Sequence, residues 1–153
     1  MNINTVSGDL IATGLRQMGA ESVKEVHGIM YIVNFVLNSG NEVSYVFNIT
    51  KGDKFFLQRM RPYAIPYGKF ANAEEIIEFI KKDIEQFRNA ECSRNFGKFV
   101  EMAENIGTLM REMEHLFLLH NVNEKYLDEI NQEIKILANE VRVLHQKMPE
   151  ILL

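Results

Sequence analysis

Two apolar runs with the spacing of a heptad repeat occupy the C-terminal third of the chain, and they constrain its fold more than any other feature. Both runs step three, four, three, four without a break, which is the pattern of two helices packed along one seam. Asn121-Val122-Asn123 separates them, and so short a connection predicts an antiparallel helical hairpin. The first run is Phe96, Phe99, Ala103, Ile106, Met110, Met113 and Phe117; the second is Leu127, Ile130, Ile134, Leu137, Val141, Leu144 and Met148.

Each predicted helix of the hairpin carries further apolar residues outside its seam. In the first helix they widen the seam, and in the second they lie nearly opposite it. These residues are Met102, Leu109 and Leu116, then Ile136 and Val143. One hairpin has only one internal seam, so the extra stripes need another partner. Two interpretations stay open: either the rest of the chain covers these residues, or the hairpin self-associates through them.

From Val26 to Arg61 large apolar residues recur at every second position, as in Ile29, Tyr31 and Val33, and the other face is the more polar one, which predicts β-strands with one buried face. Ser39-Gly40-Asn41 and Lys51-Gly52-Asp53 supply turn residues that tolerate a positive φ. We therefore expect a three-stranded antiparallel meander whose third strand is Phe55–Met60. Two prolines and a glycine predict that the next segment, Pro62–Gly68, is a loop.

Two shorter helices flank the predicted strands. The first runs from Gly8 to Met18, with Ser7 placed to cap its start and Gly19 at its C-cap. The second spans about residues 73–88, and its apolar stripe would cover the sheet. That stripe is Ile76, Ile77, Ile80, Ile84 and Phe87. The predicted fold is α+β, with a sheet–helix unit at 1–90 and the helical hairpin at 91–153, packed as one structural domain.

Composition restricts the partners and the compartment. The net charge of −4 gives no overall attraction to nucleic acid or to an anionic membrane, and no apolar run approaches the length of a membrane span. The single cysteine, Cys92, excludes an internal disulfide and suits a reducing cytoplasm. No signal peptide is recognisable at the start, so we expect a cytoplasmic protein without a membrane partner, and the overall charge does not favour nucleic acid.

One stretch departs from this acidic balance. Residues 51–70 contain five basic residues and only one acidic residue, a local charge of +4. Arg59 and Arg61 are expected on one face of the third strand, where aromatic neighbours favour contact with an anion. The candidate binding residues are Arg59, Arg61, Lys54, Tyr63 and Tyr67. The anion could be nucleic acid, an acidic protein segment or the acidic helices of this chain; alternatively, the charges protect a sheet edge from pairing.

The sequence contains no recognisable catalytic or cofactor motif. Phosphate-binding glycine loops and the Gly-x-Ser-x-Gly turn are missing. Glu112 and His115 have a spacing used by helical metal sites, but both fall outside the seam and have no second pair. Cys92 lacks a neighbouring base in the sequence. We therefore expect no metal, no cofactor and no catalysis.

The remaining features favour an interaction or assembly module. We expect it to be a homo-oligomer, most simply a dimer, joined through helical surfaces and open to a further protein partner. The alternative is a small ligand- or anion-binding domain that uses the basic third strand and the Pro62–Gly68 loop.

Overall fold

The computed structural model describes residues 3–51 and 54–149, and it shows the α+β fold that the sequence predicts. Eight elements follow one another along the chain. They are α1 (Ile3–Gln17), β1 (Gly28–Val36), β2 (Glu42–Thr50), β3 (Lys54–Arg61), β4 (Ile65–Phe70), α2 (Ala73–Ala90), α3 (Phe96–Leu119) and α4 (Glu124–Lys147).

The four strands form one antiparallel sheet in the order β1-β2-β3-β4. The predicted meander of β1, β2 and β3 is confirmed, but the prediction of only three strands is wrong. Most of the predicted Pro62–Gly68 loop belongs to β4, which pairs with β3. Pro66 is tolerated there because β4 is an edge strand, where one missing backbone donor need not break the sheet.

The core lies between α2 and one face of the sheet. Alternate residues of the strands point towards α2, as their period of two requires. The buried cluster consists of Leu37, Val43, Tyr45, Phe55, Leu57, Ile76, Ile84, Phe87 and Phe96. Each large apolar side chain buried in this way contributes about 1.5–3 kcal/mol to folding. The predicted covering helix is therefore confirmed, and Phe96 extends its core into the first turn of α3.

Polar contacts fix both ends of α2. At its start, the Asn72 side chain accepts a hydrogen bond from the backbone N–H of Glu75 at 2.8 Å, and the Glu75 carboxylate accepts one from the Ala71 N–H at 2.9 Å. At its end, the Glu91 carboxylate accepts backbone hydrogen bonds from Ser39 at 2.9 Å and Asn38 at 3.3 Å. These bonds lower the pKa of Glu91 and join the end of α2 to the β1–β2 turn.

The boundaries of the other helices partly differ from the sequence-based ones. Helix α1 begins before Ser7, which therefore does not cap it, whereas Gly19 does end it with a φ of 95°. Helix α3 begins at Phe96 after the N-cap residue Asn95, so Ser93 is not its cap. At α4 the predicted cap is confirmed, because the Asn123 side chain accepts the Lys125 N–H at 2.9 Å.

The predicted seam between α3 and α4 is covered only in part within the chain. Each helix has 24 residues, which is about 36 Å at 1.5 Å per residue. The seam residues Ala103, Met113, Leu127 and Ile130 are half-buried. Seam residues such as Ile106, Met110 and Leu144 remain exposed, and no residue of α4 is buried.

Candidate functional site

The predicted anion-binding residue Arg59 lies in the core. Its side chain is only 4% exposed, and Nη1 donates hydrogen bonds to the two carboxylate oxygens of Asp83 at 3.0 and 2.9 Å. The Tyr45 hydroxyl donates a third hydrogen bond to Asp83, at 2.6 Å. Because Asp83 belongs to α2, these bonds connect the helix to β2 and β3. The anion that meets Arg59 is thus supplied by a helix of this same chain.

Aromatic rings enclose the Arg59 guanidinium. Its Cζ atom lies 4.6 Å from the ring centroid of Tyr63, 4.8 Å from that of Phe87 and 5.5 Å from that of Tyr67. Tyr63 and Tyr67 therefore lie beside Arg59, as their nearness in sequence indicates, but they face α2. Cation–π contacts of this kind stabilise a cation that has left water. The Arg59 Nε atom is buried and has no hydrogen-bond partner among the described residues.

The buried Tyr45 and the half-buried Tyr67 of this cluster are held in the neutral form. Burial raises the pKa of Tyr45, and its hydrogen bond to the Asp83 carboxylate raises it further. Burial also raises the pKa of Tyr67, although the nearby Arg59 charge opposes this effect. The two phenols therefore serve as a hydrogen-bond donor and an aromatic wall, and they do not act as bases near neutral pH.

Arg61 points away from this cluster. Tyr45 pairs with Arg59 and Ser44 pairs with Arg61, so Met60 is an extra residue in β3. This bulge turns Arg61 to the outer face, where its guanidinium forms an ion pair with Glu42. The prediction that both arginines share one face is therefore wrong, because a strict period of two does not anticipate a bulge.

The alternative interpretation, that the basic residues of the third strand protect a sheet edge, is also wrong. Strand β3 lies between β2 and β4, so its backbone is not a free edge. Lys69 is on the true edge strand, and its ammonium group lies 5.7 Å from the Phe56 ring centroid. The Lys54 side chain lies outside the described residues.

An acidic helix of this chain was one of the predicted partners of these arginines, but the residues Asp83 and Glu42 were not singled out. Asp83 falls on the helical spacing of Ile76, Ile80 and Phe87, so its carboxylate lies within the buried stripe of α2. A charged residue inside an apolar stripe predicts a buried counterion, and this signal was available from the sequence. Glu42 offered no such signal, because its contact depends on the bulge at Met60.

A groove of about 810 Å³ separates the β3–β4 connection from α3. Its walls are mostly apolar: Met60, Pro62, Tyr63 and Ile65 on the sheet side, with Phe99, Met102 and Ile106 on the helix side. Glu104 and Arg111 supply charge along α3, whereas neither Arg59 nor Arg61 lines the groove. A chain segment or ligand with an apolar surface suits this groove better than a small anion does.

The five predicted interface residues are all exposed: Met102, Leu109, Leu116, Ile136 and Val143. The interpretation that the sheet or α2 covers them is therefore wrong. The sheet side and α2 contact α3 near its start, through Phe96, Phe99 and Val100, and this contact leaves the five residues exposed. Both helices thus present apolar residues, from the predicted seam and from the outer stripes, that the single chain leaves uncovered.

Metal-ligand clusters and membrane-spanning helices are both absent from residues 3–51 and 54–149. No group of three or more His, Cys, Asp or Glu residues there could hold a metal ion. No helix among them is both long enough and apolar enough to cross a membrane. Comparisons of the chain with protein-family models, curated proteins and solved structures found no match.

Proposed function

We propose that this protein is a non-catalytic assembly module of the cytoplasm that self-associates through α3 and α4. The observation that carries the proposal is the apolar surface of these two helices. Leu109, Met110 and Phe117 of α3 are exposed, as are Leu137, Val141 and Leu144 of α4. Monomeric soluble proteins rarely leave an extended apolar surface of this kind in water.

The heptad spacing supports helices as the covering surface. Apolar residues at seven-residue intervals stay on one side of a helix, so they can contact a second helix along its whole length. Two copies would bring four helices of equal size together, which is the arrangement of a four-helix bundle. A dimer is the simplest assembly of this type, and it closes the seam that α3 and α4 leave open in one chain.

The energetics favour such an assembly. Each large apolar side chain transferred from water into an interface contributes about 1.5–3 kcal/mol. Association costs on the order of 4–15 kcal/mol in translational and rotational freedom. About ten side chains moved from full exposure to full burial would offset even the larger cost; those of α3 and α4 are about half exposed, such as Leu109 at 46% and Leu144 at 52%, so each contributes a part of this value.

Ligand binding is the second candidate, and the groove beside α3 is the observation that favours it. Both Arg59 and Arg61 already have carboxylate partners within the chain, so the anion-binding form of this hypothesis has less support. An apolar ligand fits the walls of the groove better. Because Met102 lines the groove and belongs to the proposed interface, such a ligand would compete with self-association.

The proposal is tested by charging the helix surfaces. We expect the Leu109→Glu/Val143→Glu variant to form smaller particles than the wild type by light scattering at the same concentration, because each new carboxylate would be buried without a partner in the helical contact. Its helical circular dichroism should be retained, since both positions are exposed in one chain.

The matched control places the same charges on polar positions of the same helices. Asn105→Glu/Asn131→Glu should associate like the wild type, because both asparagines are exposed and lie outside the apolar stripes. A wild-type protein that is monomeric at high micromolar concentration would contradict the proposed function. Equal loss of association in both double variants would show that net charge, and not the apolar surface, governs assembly.

A further inference from the structure

The two edges of the sheet differ in how they are protected. Edge strand β4 contains Pro66, Lys69 and a positive-φ glycine, Gly68, and a bulge at Tyr67 interrupts its pairing with β3. These are the features by which natural sheets prevent further strands from adding. Edge strand β1 has none of them: its nine residues include no charged residue and no proline, and its pairing with β2 is regular.

Backbone hydrogen bonds show which residues of β1 face the open edge. The Lys51 N–H bonds to the His27 carbonyl at 3.0 Å, and the Leu37 N–H bonds to the Asn41 carbonyl at 2.8 Å. Both pairs continue the β1–β2 register, so odd-numbered residues of β1 direct their backbone groups towards β2. Even-numbered residues, such as Met30, Ile32 and Asn34, therefore direct their N–H and C=O groups outwards.

We propose that β1 pairs antiparallel with β1 of a second copy, about a two-fold axis at Ile32. This register superimposes the whole of Gly28–Val36 on its counterpart. It also brings the outward-facing residues opposite one another, because even numbers pair with even numbers when Ile32 faces Ile32 of the other copy. Both rows of free backbone groups are then satisfied by hydrogen bonds, and the contact is identical on the two copies.

The side chains explain why a second copy suits this edge. On the outer face Ile32 meets its own counterpart, and each Met30 lies opposite Asn34 of the other copy. On the face towards α2, Tyr31 lies opposite Val33 of the other copy. No pair joins like charges, since β1 carries no charge. Apolar and aromatic cross-strand pairs stabilise a sheet, and Ile32 is now 69% exposed.

This inference does not depend on the helical surfaces of the proposed function. It predicts a separate contact with a backbone signature of its own. Amides of Met30, Ile32 and Asn34 should be protected from hydrogen exchange only at concentrations where copies associate. Amides of Tyr31 and Val33 should be protected at every concentration, because they bond within the chain to β2.

The test compares amide exchange and sedimentation in Leu109→Glu/Val143→Glu, in which helical association is removed, with and without Ile32→Lys. We expect the parent variant to dimerise and to show alternating protection along β1. With Ile32→Lys, two ammonium groups would face each other at the axis, so the dimer and the protection of the even-numbered amides should be lost. Continued protection of Tyr31 and Val33 shows that the chain remains folded.

Leu10→Lys provides the control, because it adds the same charge at an exposed position of α1. It should leave both dimerisation and the exchange pattern unchanged. Should Ile32→Lys disturb the pairing with β2, Asn34→Lys gives a milder substitution on the same outer face. Even-numbered amides that exchange freely in the wild type at high concentration would overturn the inference, whether or not the helices associate.

Discussion

The sheet and α2 bury their facing apolar residues, whereas α3 and α4 leave most of theirs exposed to water. In the first region, alternating strand residues and the apolar stripe of α2 meet and form a buried cluster. In the second, apolar residues are just as regularly spaced, yet beyond Phe96 no described residue of α3 or α4 is buried. The difference shows that regular apolar spacing predicts a surface suited to packing, and that a second surface must be present before a core forms.

Geometry explains why the chain supplies that second surface only once. Helix α2 lies across the face of the sheet, so its stripe and the strands cover one another. Among the described residues, only the start of α3 reaches this core, through Phe96, Phe99 and Val100. Both long helices extend about 36 Å, and their apolar residues lie beyond the area that one small sheet can cover.

The largest predicted effect concerns the buried ion pair of the first region. Asp83→Ala should lower the free energy of unfolding by about 3–5 kcal/mol, because it leaves the Arg59 charge buried without a partner. Urea denaturation measures the effect. Glu78→Ala removes an exposed carboxylate from the same helix and should change stability by less than about 0.5 kcal/mol. Similar losses in the two variants would show that Arg59 does not depend on Asp83.

An intermediate effect should distinguish the two regions directly. Ile84→Val removes one buried methylene from α2, where Ile84 is 3% exposed, and should cost about 0.5–1.5 kcal/mol. Ile106→Val makes the same change in α3, where the side chain is 61% exposed, so the dilute protein should lose little stability. Denaturation at low concentration measures both. If the two losses are equal in the monomer, α3 is packed more closely than the structure shows.

The smallest effect is pH-dependent and concerns the contact between α2 and the β1–β2 turn. The pKa of Glu91 is lowered in the folded protein, so its contribution to stability is present above the ordinary value of 4.5 and is lost as pH falls through the lowered pKa. Glu91→Gln should therefore be less stable than the wild type at pH 7, and the difference should shrink below pH 4.5. Denaturation midpoints at several pH values measure it, and a difference independent of pH would contradict this account.

Periodicity was sufficient to predict most of the fold. It located the first three strands, the covering stripe of α2 and the cap at Asn123, because each depends on residues close in sequence. It missed β4, since proline and glycine are ordinarily signs of a loop and their tolerance on an edge strand depends on the complete sheet. It also predicted a packed seam between α3 and α4, but most seam residues are exposed, because burying them needs a second apolar surface.

The arrangement around Arg59 was predictable only in part. Its aromatic neighbours Tyr63 and Tyr67 are near in sequence, and their proximity could be expected. The side to which Arg61 points could not be predicted, because one extra residue at Met60 moves every later side chain of the strand to the opposite face. Asp83 was detectable as a charge in an apolar stripe, although only the folded sheet brings it to Arg59.

The protection of β4 has a consequence for the number of subunits. A sheet with two open edges can add strands indefinitely, which is how ordered fibrils grow. A sheet with one open edge can pair with a single further sheet. When two copies pair through β1, both edge strands of the joined sheet are β4, which is protected. If β1 pairs as proposed, Pro66, Lys69 and the bulge at Tyr67 would prevent further strands from adding at β4, so the continuous sheet would contain two copies and no more.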